Sequence, residues 1–509
     1  MYTCVVAADI SGLSARIIRI EVDVNDGLPV FDMVGYLASS VKEARERVRI
    51  AVRNLGIFFP AKRVTINLSP ANLRKDGTSF DLPIAVALLS AFGFIKEPIN
   101  DKTMFIGELG LDGSIRPVRG VLAMLLEGRK EGIERFVVPA ENAYEGSILS
   151  DVEVIGVSNL KDCIDHLNRE IEITPVSFDK SIWENATTEE DFCEISGQEE
   201  AKFAARIAVS GKHNLLFVGP PGSGKSMLAK RIPTIMPTLS LEECLSITKI
   251  YSIFGALDKD RPLVTKRPFR SPHHTITQTA LTGGGRVPTP GEITLASKGI
   301  LFLDELPEFS KQTIEVLRQP MEEKKVTVSR LEGTEEYPCD CIFMAAMNPC
   351  RCGYYPDLSK CRCTVNEIHR YLDKISEPLL DRMDMSVEMS MPKFAMYGKY
   401  GETSEMIRER VQKNIEIQHK RYLTETFSYN GELSGKTMEK YCPLGSEEMK
   451  FLEDYFEEEE VSFRRLTRIV RVARTIADDS DEKDINSEHL AVAISLRSIN
   501  KKYWGGDRL

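Results

Sequence analysis

Long apolar runs are missing from this chain. The longest, Ile84 to Ile95, stops well short of the roughly 20 residues a membrane-spanning helix needs, so no bilayer crossing is expected. The opening Met1-Tyr2-Thr3-Cys4-Val5-Val6 has neither a basic flank nor a cleavage site, which argues against a secretory leader and for a cytoplasmic protein. Positive charge is also in deficit. With 66 Lys and Arg against 76 Asp and Glu, the net charge of −10 excludes a surface that coats nucleic acid all over, yet leaves room for a local basic pore or stripe. No internal repeat or low-complexity tract is evident, so a chain of 509 residues with 42% apolar content should divide into about three or four ordinary globular domains. Without a secretory signal, the eleven cysteines read as reduced thiols rather than as a disulfide framework.

What is present begins with Gly-Pro-Pro-Gly-Ser-Gly-Lys-Ser at 219–226, directly behind the apolar run Leu215-Leu216-Phe217-Val218. A buried strand feeding a glycine-rich loop and then a helix-permissive stretch, Met227 to Arg231, is the pattern that holds a nucleoside triphosphate. The glycines let backbone N–H groups turn onto one phosphate, Lys225 reaches the β and γ phosphates, and Ser226 can ligate Mg²⁺. Gly219, Pro220, Pro221, Gly222, Ser223, Gly224, Lys225, Ser226 and Met227 are the candidate contacts to ATP.

A second apolar run, Ile300-Leu301-Phe302-Leu303, ends in Asp304-Glu305, which places two carboxylates at the carboxyl end of a buried parallel strand. Asp304 would help hold Mg²⁺ and Glu305 would polarise the attacking water; the bland alternative is a buried strand ending in solvated acids. A third run, Ile342 to Met347, is tipped by Asn348, either a residue that orients water and senses the γ phosphate or a routine turn residue. Phosphoryl transfer needs further positive charge, and two arginines are candidates. Arg382 lies in Pro378-Leu379-Leu380-Asp381-Arg382, and Arg464 opens a helix whose arginines 464, 468 and 471 share one face opposite Leu466, Ile469, Val470 and Ala473. Such a face can equally be solvated.

Residues 322–337 read as a hairpin carrying Lys324, Lys325 and Arg330, and the loop from Phe269 to Pro290 carries Arg270, His273, His274 and Arg286. These five cations, Lys324, Lys325, Arg330, Arg270 and Arg286, are the candidate contacts to a polyanion, although Glu322, Glu323, Glu335 and Glu336 make a solvated hairpin a respectable alternative. The paired histidines have no partner at ligand spacing and read as loop contacts to substrate or a neighbouring subunit, with ordinary packed histidines as the alternative.

Six cysteines fall between 339 and 363. Cys350-x-Cys352 and Cys361-x-Cys363 offer four soft thiolates that can close on a structural Zn²⁺, stay uncoordinated or serve a redox role; Cys339 and Cys341, two apart on an expected strand, face one way and fill the core.

In the order of its parts the chain resembles the AAA+ ATPases, and more closely the magnesium-chelatase-like family of YifB/ComM type, in the broader group that includes minichromosome-maintenance helicases. The resemblance rests on Phe269 to Thr275, Gly283-Gly284-Gly285-Arg286, Ala345 to Cys350, Pro378 to Arg382 and Arg471 to Asp478, and spans nearly the whole chain. It implies that Asn348 is the sensor-1 residue, Arg382 a finger given in trans and Arg464 the sensor-2 arginine. It further implies a ring, expected to be a homohexamer, acting on single-stranded or branched DNA to drive branch migration and strand integration in natural transformation and recombination. The alternative is a protein-remodelling ATPase similar to the magnesium chelatase motor, although no integrin-type metal-binding segment accompanies the chain.

Residues 74–81, 107–113 and 116–118 look like the proteolytic domain of Lon proteases, which shares its fold with ribosomal protein S5 domain 2. Ser79 matches the nucleophile, but the helix that should carry the lysine base runs Gly120 to Leu126 with no lysine until Lys130, so no peptidase is expected. The expected architecture is thus a multidomain α/β protein: a Lon-like domain over 1–167, a linker over 168–190, an AAA+ P-loop core over 191–395 and a helical lid over 396–509.

Overall fold

The computed structural model describes residues 1–178, 190–258, 261–285, 289–330, 333–392, 400–459 and 462–504. Arg286, residues 179–189 of the expected linker and the expected 395/396 boundary lie outside the described residues. The protein is α/β, with parallel strand pairing in both of its compact units: Met1–Ala186 with Ser240–Thr265, and Thr187–Leu239 with Lys266–Leu509. The chain therefore leaves the second unit between the phosphate loop and the Asp304 strand, contributes residues 240–265 to the first, and returns.

The first unit is built on a seven-stranded mixed sheet. Tyr2–Ser11 and Ser14–Asn25 form a hairpin with Tyr2 opposite Asp23 and Ser11 opposite Ser14, and Thr103–Phe105, Arg135–Pro139 and Glu153–Val157 continue it as parallel strands. In Ser14–Asn25, Ile18, Ile20, Val22 and Val24 are buried and alternate with Arg19, Glu21 and Asp23, whereas Val5 to Ala8 of the first strand are buried on both faces. The helix Asp81–Ala91 is apolar all round because it is buried almost throughout.

Ser79 sits just before that helix and is buried, as is Lys75, whose ammonium donates to the Pro70 carbonyl. Lys130, at the end of the helix Val121–Lys130, is occupied instead with Glu127 at 3.0 Å.

The excursion Ser240–Thr265 is held by one buried carboxylate. Ser240 and Glu243 form a capping box that starts the helix Leu241–Phe254. That helix packs on Val121–Lys130: the Gly120 N–H donates to the Ser252 carbonyl at 3.2 Å and the Ser252 hydroxyl donates to Glu145. Glu145 also accepts from the Leu122 N–H at 2.9 Å and from Asn142 at 3.3 Å. Burial pushes the Glu145 carboxyl above its ordinary range, and these hydrogen bonds pull back against it.

The second unit has a five-stranded, all-parallel sheet in the order Phe269–Arg270, Ile300–Leu303, Ile342–Met347, Leu215–Val218, Met385–Glu388. Three of these strands are apolar and buried along their whole length, the pattern of a sheet covered on both faces. The hairpin Lys325–Arg330 and Gly333–Pro338 precedes the strand Ile342–Met347, with Lys325 opposite Pro338. Cys339 and Cys341 are both buried as expected, but in the connection leading into that strand rather than on it.

A buried pair fixes the helix Phe463–Asp479 to the sheet: Arg468 meets Asp384 at 2.6 Å, immediately before the strand Met385–Glu388. Burial is the largest influence and opposes ionisation of Asp384, but Arg468, His213, the Asn214 N–H and Arg471 together outweigh it and bring the carboxyl down to about 2. Its folded pKa is depressed, so the stabilisation is present above the unfolded value of about 3.9 and is withdrawn as pH falls toward 2. Arg468→Ala leaves this carboxylate buried without its main partner and is expected to cost about 3–5 kcal/mol in denaturant unfolding at neutral pH.

Candidate active site

The strand order brings the three chemically loaded strand ends side by side. Leu215–Val218 lies next to Ile342–Met347, which lies next to Ile300–Leu303, so the residues that follow, Gly219, Asn348 and Asp304, emerge at one edge of the sheet. Gly222 and Gly224 take φ of 80° and 90°, left-handed values that wrap the loop before the helix Lys225–Ile235 begins.

In this loop Lys225 Nζ donates to the carbonyls of Gly219 at 2.8 Å and Pro220 at 2.9 Å, and to Asn348 Oδ1 at 3.2 Å. Burial lowers the Lys225 pKa, and Asp304 and Glu305 oppose that shift. The Ser226 hydroxyl donates to Asp304 Oδ2 at 2.6 Å. A hydroxyl and a carboxylate this close are hard oxygen donors of the kind that hold Mg²⁺ while leaving positions for water and phosphate, so the residues fit the ion. Met227 follows Ser226 on the helix and is exposed.

Glu305 projects from a backbone held at φ 53°, a left-handed conformation that a residue with a side chain rarely adopts; its N–H donates to Asp304 Oδ1 at 3.0 Å. The turn separates the two carboxylates in function: Asp304 faces Ser226, whereas Glu305 is exposed. His274 Nδ1 lies 3.6 Å from Glu305 Oε2, and its ring meets Phe309 edge-on. The partner that sequence spacing failed to provide for His274 is therefore Glu305. Gln198 was also not apparent from sequence. Its amide donates to the carbonyls of Ser223 at 3.1 Å and Ser390 at 2.6 Å and so ties the phosphate loop to the chain beyond the last strand. Its only local signal is Gly197-Gln198 ahead of a helix.

The two candidate arginines do not join this cluster. Arg382 donates to the carbonyls of Arg318 at 3.1 Å and Pro378 at 2.6 Å and pairs with Glu322 at 2.9 Å. Arg464 pairs with the same Glu322, at 3.0 Å. Arg464, Arg468 and Arg471 do share a helix face, and it lines a cleft with Lys324 and Glu322; Arg468 is buried there, whereas Arg464 is exposed. Two residues read from sequence as separate thus converge on one carboxylate.

The candidate polyanion contacts are also spread out. Lys324 stands at the base of the hairpin in that cleft, and Lys325 pairs with Glu336 at 2.8 Å. Arg270 is clasped by Glu292 through two hydrogen bonds of 2.6 and 2.8 Å. Arg330 ends its strand, opposite Gly333.

The four cysteines do come together: Sγ of Cys350, Cys352, Cys361 and Cys363 all lie within 4.8 Å of one another. No helix among the described residues is long and apolar enough to cross a membrane.

Family models match the chain in three blocks: residues 191–397 match magnesium chelatase, subunit ChlI; residues 20–142 match subunit ChlI of Mg-chelatase; residues 401–497 match its C-terminal region. An uncharacterized protein YifB of Salmonella typhimurium is 40% identical over 494 residues, covering 96% of each chain. Competence protein ComM of Haemophilus influenzae and an uncharacterized protein YifB of Escherichia coli are each 38% identical, again over 96% of each chain.

Proposed function

The chain belongs to the YifB/ComM group of the magnesium-chelatase ChlI family, and on that premise we propose that it is an ATP-driven, ring-forming DNA motor that promotes branch migration and strand integration. The observation that carries the ATPase part is the junction of Lys225, Ser226, Asp304 and Asn348 at one sheet edge, with Glu305 turned outward beside them. Lys225 and the loop amides would hold the phosphates, and Ser226 and Asp304 would hold Mg²⁺, which would supply charge neutralisation to the transferring phosphate. Glu305 would orient the attacking water, and Asn348, which accepts from Lys225, would sense the γ phosphate. A ring is supported by Arg382, whose contacts in the chain by itself are Glu322 and the carbonyls of Arg318 and Pro378 and none in the phosphate loop; once released from Glu322 its charge would serve a neighbour's nucleotide, with Arg464 as the sensor-2 arginine.

DNA as substrate is supported by the relative ComM of Haemophilus influenzae, a competence protein by name, and by hairpin cations that a ring would multiply into a basic throat. Forked DNA is expected to stimulate ATP turnover severalfold, and Lys324→Glu/Lys325→Glu/Arg330→Glu to abolish the stimulation while leaving basal turnover within about twofold. Indifference of the wild-type protein to forked and single-stranded DNA would favour a protein-remodelling motor.

A further inference from the structure

We propose that Cys350, Cys352, Cys361 and Cys363 hold a single zinc-class ion in a tetrahedral site, and that this ion braces the phosphate loop through Gly353. The second half rests on the reading of residues 219–226 as a nucleotide site.

The metal half stands on geometry. The sulfur separations are 3.4 Å for Cys350–Cys352, 3.8 Å for Cys350–Cys361 and 3.5 Å for Cys352–Cys361. Four thiolates at a Zn–S distance of about 2.3 Å define a tetrahedron with edges of about 3.8 Å, so little movement is needed to close the site. An iron–sulfur cluster, whose irons are held apart by sulfide, needs thiolates spread more widely. The donor set is all sulfur, which selects a soft or borderline ion over Mg²⁺. The Tyr355 N–H donates to Cys350 Sγ at 3.4 Å, the type of outer hydrogen bond that steadies a metal-bound thiolate.

The brace follows from where this knot sits. Between the strand Ile342–Met347 and the helix Val365–Leu372 the described chain forms no helix or strand, so its shape rests on turns and on the sulfur cluster. The first thiol is two residues beyond Asn348, which accepts from Lys225. The turn closed by the Gly353 N–H on the Cys350 carbonyl at 3.0 Å sets Gly353 at φ +87°, flat against Pro221: a Cβ there would fall 2.3 Å from Pro221 Cδ. One side of the knot thus touches the phosphate loop, and its first strand of chain ends in the residue that Lys225 contacts. Four uncrosslinked thiols leave both contacts to a run of turns; one ion fixes them.

Full-length protein purified under reducing conditions is expected to carry about one zinc per chain by plasma mass spectrometry, and Cys352→Ser/Cys363→Ser less than about a tenth of that. The zinc-free variant should bind a fluorescent ATP analogue on the order of tenfold more weakly, whereas Cys361→His, which keeps a zinc ligand, should retain both metal and affinity. Gly353→Ala should keep the zinc and lose affinity to a similar extent, because its methyl group displaces Pro221.

Wild-type protein that carries no zinc and takes up none from zinc sulfate overturns the metal site. A folded, zinc-free variant with wild-type affinity overturns the brace, as does a zinc-loaded Gly353→Ala protein with wild-type affinity should the double variant not fold. Zinc-loaded wild type that binds no nucleotide leaves the metal site standing and removes the nucleotide reading instead.

Discussion

Glu305→Gln is expected to lower ATP turnover by about 10²–10⁴-fold while leaving ATP affinity within about threefold of wild type. The two carboxylates after the strand Ile300–Leu303 are adjacent in sequence but separated by the left-handed turn at Glu305. Asp304 is committed to Ser226, so the ion it would hold stays in place when Glu305 is changed. A glutamine keeps size and hydrogen bonding and removes only the charge that polarises water, so the loss should fall on kcat and not on binding. Lys225→Ala gives the contrasting pattern, loss of affinity first, because Lys225 stands between the loop carbonyls and Asn348. Steady-state turnover beside equilibrium binding of a fluorescent ATP analogue separates the two. If Glu305→Gln instead lost affinity with kcat intact, the assignment of water activation to Glu305 would fail.

Arg382→Ala is expected to reduce kcat by about 10³-fold, the lower end of what a charge donated to the transferring phosphoryl group contributes. In the chain by itself Arg382 is fully engaged, by two carbonyls and by Glu322, so the guanidinium must leave Glu322 to reach a nucleotide. Glu322 also holds Arg464, and a single carboxylate between two guanidiniums keeps them at one position on the surface. Glu322→Gln weakens that hold without removing either arginine. Its turnover should therefore stay measurable where that of Arg382→Ala does not, and the comparison at saturating ATP distinguishes a donated charge from a merely structural one.

Much of this site was legible in the sequence because it is built from local signals. Each of three short apolar runs is buried over its length in one sheet and ends in a residue whose chemistry is recognisable: Gly219, Asp304 and Asn348. The thiol spacing was equally readable. Non-local relations were not. Nothing near Ser240 announces that the helix it caps joins the first unit, because a capping box fixes where a helix starts and not what it packs against. Arg270 reads as a free cation until Glu292, a chain segment away, is seen to clasp it. The convergence of Arg382 and Arg464 on Glu322 is likewise a product of packing, since the three residues lie on separate elements. The two-residue edge strand Phe269–Arg270 is too short to carry a period at all.

The claim that each ATP is hydrolysed at a seam between two copies of the chain is tested most directly by mixing Arg382→Ala protein with Glu305→Gln protein. Each is expected to be nearly inactive alone. A seam formed by the intact nucleotide site of the first and the intact Arg382 of the second is wild type in composition, so an equimolar mixture should recover roughly a quarter of wild-type turnover if subunits assort at random and seams act independently. Turnover in the mixture no greater than the average of the two inactive proteins, with mixed assembly verified by co-purification, would place Arg382 in its own subunit's chemistry or outside the chemistry altogether, and the seam would not be the site of hydrolysis.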